Sequence, residues 1–187
     1  MSIKVMLAVA DGSEDIETVT VSDVLRRAGI EVVLVSVMPQ RQITCARGIQ
    51  LRADALMADV MEQHWDAIVL PGGLPGAEHL ADCAALVALL REQQAADRFI
   101  GAICAAPALV LARHGLLRGY KATAFPGCEE ALRQGGALQV LGDVVTDRRM
   151  VTSRGPATAM AFTLQLVRLL AGEQQADQVG KALLFFP

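Results

Sequence analysis

Cys104 closes a short apolar run, Phe99–Ile103, and is followed by Ala105, Ala106 and Pro107. The pattern reads as a buried strand turning into a helix, with the helix predicted over Ala105–His114 and stopped by Gly115. A thiol at that turn has the first free N–H groups of a helix beside its sulfur. Free cysteine titrates near about 8.5, and a helix N-terminus lowers that value and favours the nucleophilic thiolate. The competing reading is a small buried hydrophobe, the role of most unpaired cysteines.

Glu17 is the second residue of interest. Val21, Val24, Leu25 and Ala28 occupy the i, i+3, i+4, i+7 positions of a buried helical stripe, and Glu17 falls on that stripe near the helix start. Glu14 and Asp15 are expected to face water and favour the positive end of the helix dipole. Glu17 is expected to be desolvated, with its pKa raised, and to donate a hydrogen bond to a thiolate or exchange protons with a substrate. Its bland alternative is an edge residue whose head reaches solvent. Gly72 and Gly73 can bring backbone N–H groups close to a ligand, and with the N–H of Ala105 could hold an oxyanion formed on attack by Cys104. An ordinary glycine turn fits the same residues.

Histidine is the usual partner of a catalytic cysteine. His114 lies ten residues along the predicted helix, roughly 15 Å away at 1.5 Å per residue, which excludes it as the base. His64 and His79 sit in or near expected loops. The pattern therefore favours a thiol activated by a helix and a carboxylic acid, without a dyad.

Three strand-to-loop junctions must meet for this chemistry. Strands are expected at Lys4–Ala10, Glu31–Val37, Ala67–Leu70, Phe99–Ile103, Lys121–Ala124 and Met150–Ser153, with short extended pieces at Thr44–Cys45 and Gln50–Ala53. Helices are expected at Glu14–Ala28, within Ala77–Ala95, at Pro156–Ala171, and again after Glu173. Alternating strands and helices imply an α/β fold with a mostly parallel sheet covered on both faces. Ligands of such sheets collect beyond the carboxyl ends of the strands. The loops Asp11–Ser13, Pro71–Gly73 and the turn at Cys104 all follow strands directly.

The 187 residues suit a single domain, 1–187, with a sizeable core. Hydrophobic residues make up 53%, yet the longest apolar stretch, Phe99–Ala112, is broken by Pro107 and too short for a bilayer. The start of the chain does not read as a signal peptide. A net charge of −3, interspersed signs and only 4% aromatics argue against a dedicated nucleic-acid partner. Cys45, Cys83, Cys104 and Cys128 form no CxxC pair, and no histidine lies at ligand spacing. No metal or cofactor is expected, and the reducing cytoplasm is the expected compartment.

The motifs GSEDIET (12–18), TCARGI (44–49), LPGG (70–73), GAICAAP (101–107) and TSRGPAT (152–158) resemble the ThiJ/PfpI superfamily. The nearest branch is that of the Parkinson-disease-associated protein deglycase and the bacterial YajL-like proteins. The resemblance implies a flavodoxin-like three-layer sandwich that forms a homodimer. It implies that Cys104 is an oxidation-prone nucleophile on a strained elbow and that Glu17 is the protonated acid bonded to its sulfur. It further implies an oxyanion hole at Gly73 and Ala105, a peripheral redox cysteine at Cys45, and pocket or interface roles for Gly72, Arg47, Arg154 and Ile16. Peptide-hydrolysing members carry histidine directly after the cysteine, where this chain has Ala105. Phe125-Pro126 likewise stands where some members have a loop histidine. Protease activity is therefore not expected.

The leading expectation is a cofactor-independent, cysteine-dependent enzyme of the glyoxalase or deglycase type, acting on reactive α-oxoaldehydes or their adducts in stress protection. The alternative is a non-enzymatic redox sensor or chaperone-like protein whose Cys104 oxidises to the sulfinate. An amidotransferase-like hydrolase would need a histidine, and none follows residue 114. A kinase would need a GxxxxGK[ST] loop, which is missing.

Overall fold

The computed structural model describes residues 2–139 and 142–185. Its centre is a seven-stranded sheet built from β1 (Lys4–Val9), β2 (Glu31–Ser36), β5 (Ala55–Leu56), β6 (Ala67–Leu70), β7 (Phe99–Ile103), β10 (Val144–Asp147) and β11 (Met150–Ser153). The spatial order is β10-β11-β7-β6-β1-β2-β5. Every neighbouring pair runs parallel except β10 and β11, which form an antiparallel edge hairpin. Two short ribbons lie outside it, β3 (Gln42–Thr44) with β4 (Gln50–Arg52), and β8 (Lys121–Ala122) with β9 (Leu138–Gln139). This is the flavodoxin-like α/β arrangement that the sequence implies.

The central strands β1, β6 and β7 are apolar apart from Lys4 at the start of β1, because both sheet faces are covered. Along β1, Val5, Leu7 and Val9 enter one core, while Met6 and Ala8 enter the other. The first core receives α1 (Asp15–Arg27), α5 (Ala159–Ala171) and α6 (Glu173–Ala182) through Val21, Val24, Leu25, Phe162, Leu166 and Val179. The second receives α2 (Gly76–Asp82), α3 (Ala84–Ala95) and the segment after Cys104 through Leu80, Leu86, Leu90 and Leu111. The stripe read from the sequence on α1 is buried as expected.

Several elements differ from the sequence reading. The segment after the elbow is a π-helix over Pro107–Ala112, with Arg113 and Leu116 donating to carbonyls five residues back. The α4 helix (Glu129–Gln134) beside it, β5 and the β10 edge strand were not expected. The predicted helix over Pro156–Ala171 begins with a 3₁₀ turn at Pro156–Thr158 before α5. Asp15 also departs from expectation. It is buried rather than solvent-facing, and its carboxylate accepts the backbone N–H groups of Arg47 at 2.7 Å and Ile49 at 3.2 Å. The acid thus pins the β3–β4 turn against α1.

Phe162 is fully buried, and its ring lies over Gly101, where an added Cβ would stand 3.0 Å from Cζ. Glycine at 101 lets the ring close on the sheet beside the elbow strand. Phe162→Ala is expected to lower the unfolding free energy by about 3–5 kcal/mol in urea denaturation. A loss near zero would contradict this packing.

Candidate active site

The carboxyl ends of β1, β6, β7 and β11 converge, and the loops that leave them interlock. Glu14 caps α1, its carboxylate accepting the N–H of Glu17 at 2.8 Å. The N–H of Glu14 in turn donates to the carbonyl of Gly72 at 3.0 Å. Gly73 has φ +87°, and a Cβ there would lie 2.4 Å from the carbonyl oxygen of Gly12. Gly72 passes so close to the elbow that its Cβ would stand 2.6 Å from the Cβ of Cys104. Neither position has room for a side chain.

Cys104 itself adopts φ +63°, a left-handed conformation that costs a non-glycine residue about 1–2 kcal/mol. The surroundings hold it there. Its N–H donates to the carbonyl of Ser153 at 2.9 Å, and its carbonyl accepts the N–H of Phe125 at 2.8 Å. The backbone amides of Gly73 and Ala105 lie close enough to the sulfur to favour its thiolate. The residue is 9% exposed, so the thiol is sheltered yet reachable.

Glu17 is fully buried and comes within reach of that sulfur. Its Oε2 accepts the N–H of Gly72 at 2.7 Å, while Oε1 is buried with no hydrogen-bond partner. Burial is the main cause that pushes its pKa up to about 7. The Gly72 amide pulls the other way, the Glu14 charge adds to the rise, and Cys104 lowers it slightly. A carboxyl group with one satisfied oxygen and one bare oxygen places its proton on the bare one.

The thiol behaves differently from the sequence expectation. Burial, followed by the Glu17 charge, pushes Cys104 up to about 12, against the pull of the Gly73 and Ala105 amides. Desolvation outweighs the helix-terminus effect because the strand end, the Gly72 loop and Glu17 enclose the sulfur. The resting pair is therefore a thiol beside an acid that titrates near neutrality, not a standing thiolate.

Cys104, Glu17, Gly72, Gly73 and Ala105 are thus gathered at one point. The other expected residues, given pocket, interface or peripheral redox roles, make no hydrogen bond to this group. Arg47 is exposed and held only through its backbone, and Arg154 is exposed and ion-paired with Asp143 at 3.2 Å. Ile16 projects from α1 at 56% exposure. Cys45 is buried in the β3–β4 turn, and burial with Asp15, Glu14 and Asp11 nearby raises its thiol to about 11, which disfavours a redox-active thiolate. Among the described residues, no histidine bonds to Cys104 or Glu17. His114 instead reaches the carbonyl of Ala81 at 2.8 Å through Nε2. No group of three or more His, Cys, Asp or Glu side chains is assembled for a metal among the described residues. Sequence reasoning missed Glu14 as the link between α1 and the Gly72 loop, and Phe125 as a backbone neighbour of the elbow. The first carried a capping signal. The second carried none, because its contact spans 21 residues of chain.

An α/β sheet with cysteine on a left-handed elbow, a buried acid beside it and amides aimed at its sulfur defines a class of cysteine-centred α/β proteins. Comparison gives the family. The chain matches the DJ-1/PfpI family over residues 3–169 and belongs to it. It is 42% identical over 183 residues to the DJ-1 homolog A of Arabidopsis thaliana, covering 98% of this chain but only 47% of that protein. It thus spans about half that relative's length. It is 34% identical to the Caenorhabditis elegans glutathione-independent glyoxalase DJR-1.2, over 92% of this chain and 91% of that one. The solved structure of oxidized Toxoplasma gondii DJ-1 superposes with a TM-score of 0.96 at 41% identity, over the whole of both chains. No helix among the described residues is long and apolar enough to cross a membrane.

A raised carboxyl pKa is also a statement about stability. The folded chain holds the Glu17 proton between about 4.5 and about 7, where the unfolded chain releases it. The contribution is fully present below the lower value and is lost as pH rises through the upper one. Glu17→Gln keeps an acceptor for Gly72 and has no charge to bury. Its unfolding free energy is expected to gain on the wild type by about 3 kcal/mol between about pH 4.5 and about pH 8. A difference that does not change with pH would show that Glu17 titrates normally.

Proposed function

We propose that the protein is a cofactor-independent enzyme that converts reactive α-oxoaldehydes to hydroxy acids, with Cys104 as nucleophile and Glu17 as the proton carrier. The observation that carries the reading is the buried Glu17 carboxyl, raised to about 7, beside the sulfur that Gly73 and Ala105 face with their amides. A base is most effective when its pKa lies near the working pH. Glu17 meets that condition, and Cys104 supplies the proton it takes. The name of the C. elegans relative adds support.

For methylglyoxal the steps balance without an external redox partner. The Cys104 sulfur forms a bond to the aldehyde carbon as its proton passes to Glu17. The resulting oxyanion is held by the Gly73 and Ala105 N–H groups and takes that proton back from Glu17 to give a hemithioacetal, which leaves Glu17 ionised. Glu17 then removes the C1 hydrogen to give an enediol and returns a proton to C2, leaving a thioester. Water cleaves the thioester to lactate and the free thiol. The internal redox change moves a hydrogen from C1 to C2, and the net reaction consumes one water. Adducts of the same aldehydes on proteins or nucleotides enter by the same first step.

The reading includes a homodimer joined through the exposed Ile16, Val19 and Ile49 around α1 and the β3–β4 turn. It also includes a reducing cytoplasm, in which the four free cysteines persist. Sulfinate formation at Cys104 is the second reading, favoured by the two amides and the acid that would receive its oxygens. The raised thiol pKa weighs against it, since peroxide reacts with the thiolate.

Methylglyoxal loss and lactate formation, followed without glutathione, test the proposal. Cys104→Ser is expected to abolish turnover, and Glu17→Gln to lower it by roughly 10²–10⁴-fold. The wild-type rate is expected to rise with pH around about 7 as Glu17 ionises. Equal rates for the wild type and Cys104→Ser would end the enzyme reading. A gain of two oxygens at Cys104 under peroxide, without aldehyde turnover, would favour the sensor.

A further inference from the structure

We infer that the mouth above Cys104 is shaped for an α-oxoaldehyde carrying an aromatic or branched apolar substituent, with Phe125 and Leu74 as the walls that receive it. The inference rests on the oxoaldehyde reading and narrows its substrate class.

The sulfur stands at the end of β7, which lies between β6 and β11 in the sheet. Each side brings up one large apolar side chain that stays in solvent. On the β6 side, Leu74 directly follows Gly73, whose amide favours the Cys104 thiolate, and it is 60% exposed. On the β11 side, Phe125 is joined to the elbow by its N–H, which donates to the Cys104 carbonyl at 2.8 Å. Its ring lies over Gly155, where a Cβ would stand 3.3 Å from Cδ2, yet the residue remains 47% exposed. Gly155 is two residues past Ser153, the acceptor of the Cys104 N–H.

Single exposed apolar residues need no explanation. These two are different because they flank the same cysteine: Phe125 donates its N–H to the Cys104 carbonyl, and Leu74 directly follows Gly73, whose amide favours the Cys104 thiolate. A carbonyl whose oxygen lies on the Gly73 and Ala105 amides has its substituent directed outward between them. A phenyl or branched alkyl group there removes water from both walls, whereas hydrogen or a hydroxylated chain does not.

Two paired measurements separate this inference from the reading beneath it. The first compares alkylation of Cys104 by iodoacetamide and by its N-benzyl derivative, each with loss of iodide, read by peptide mass spectrometry. It needs no turnover. The wild type is expected to favour the benzyl reagent roughly tenfold, and Phe125→Ser and Leu74→Ser to reduce that ratio severalfold. Leu138→Ser, at an exposed apolar position on β9, is the control and should leave the ratio unchanged. The second compares kcat/KM for phenylglyoxal and methylglyoxal, whose ratio should fall in the same two variants. No benzyl preference in the wild type, or one that survives both substitutions, overturns the inference whatever the turnover. A benzyl preference that depends on Phe125 and Leu74, with neither aldehyde consumed, supports the walls and sinks the oxoaldehyde reading.

Discussion

One carboxyl group, buried where the chain offers it a single amide, is the constraint around which this site is organised. The Gly72 N–H satisfies one oxygen of Glu17, and nothing satisfies the other. Burial, offset by only that one amide, keeps a proton on the group to near neutrality beside Cys104. A carboxylate with two or three amide partners would ionise in the ordinary range or below it and would hold no proton to exchange. A fully solvated one would do the same. The fold supplies the intermediate case, in which the charge is disfavoured without being forbidden.

The surrounding features serve that arrangement. The sheet brings β1, β6, β7 and β11 to one edge, and small residues let the loops approach to backbone contact. Gly72 is the sharpest instance, because any side chain there collides with the Cys104 Cβ. The left-handed backbone at Cys104 is held by β11 on one side and Phe125 on the other. The Glu14 cap fixes the start of α1 relative to the Gly72 loop, and with it the depth at which Glu17 enters. These are rigid supports for the two side chains. Among the described residues no histidine bonds to the thiol, and in the proposed reading these supports hold Glu17 where it can act as the base.

Much of this was legible in the sequence, and the parts that were not share a cause. Periodicity located α1 almost to the residue, because Val21, Val24, Leu25 and Ala28 repeat at helical spacing over two turns. The same stripe exposed Glu17 as a carboxylate on the wrong face, and the strand-to-helix pattern located Cys104 at the elbow. The direction of the Cys104 shift was misread. Local sequence records the helix beginning after the thiol, whereas desolvation by the Gly72 loop and by Glu17 comes from residues 32 and 87 positions away in the chain. Asp15 was misplaced for the same reason, since its partners Arg47 and Ile49 belong to a separate ribbon. The β5 and β10 strands were too short or too mixed to stand out, and the π-helix has the same apolar content as an α-helix. Local pattern specified the elements and the reactive residue types. Electrostatics depended on what the fold stacked over them.

The proton held by Glu17 to near neutrality is the claim on which everything else rests. Infrared difference spectroscopy across a pH titration, with Glu17→Gln as the reference, isolates the Glu17 carboxyl band directly. The account requires the protonated carboxyl to persist to near neutrality and to disappear around about 7. A band already lost around the usual glutamate value of about 4.3 would contradict it and would leave Cys104 without a base.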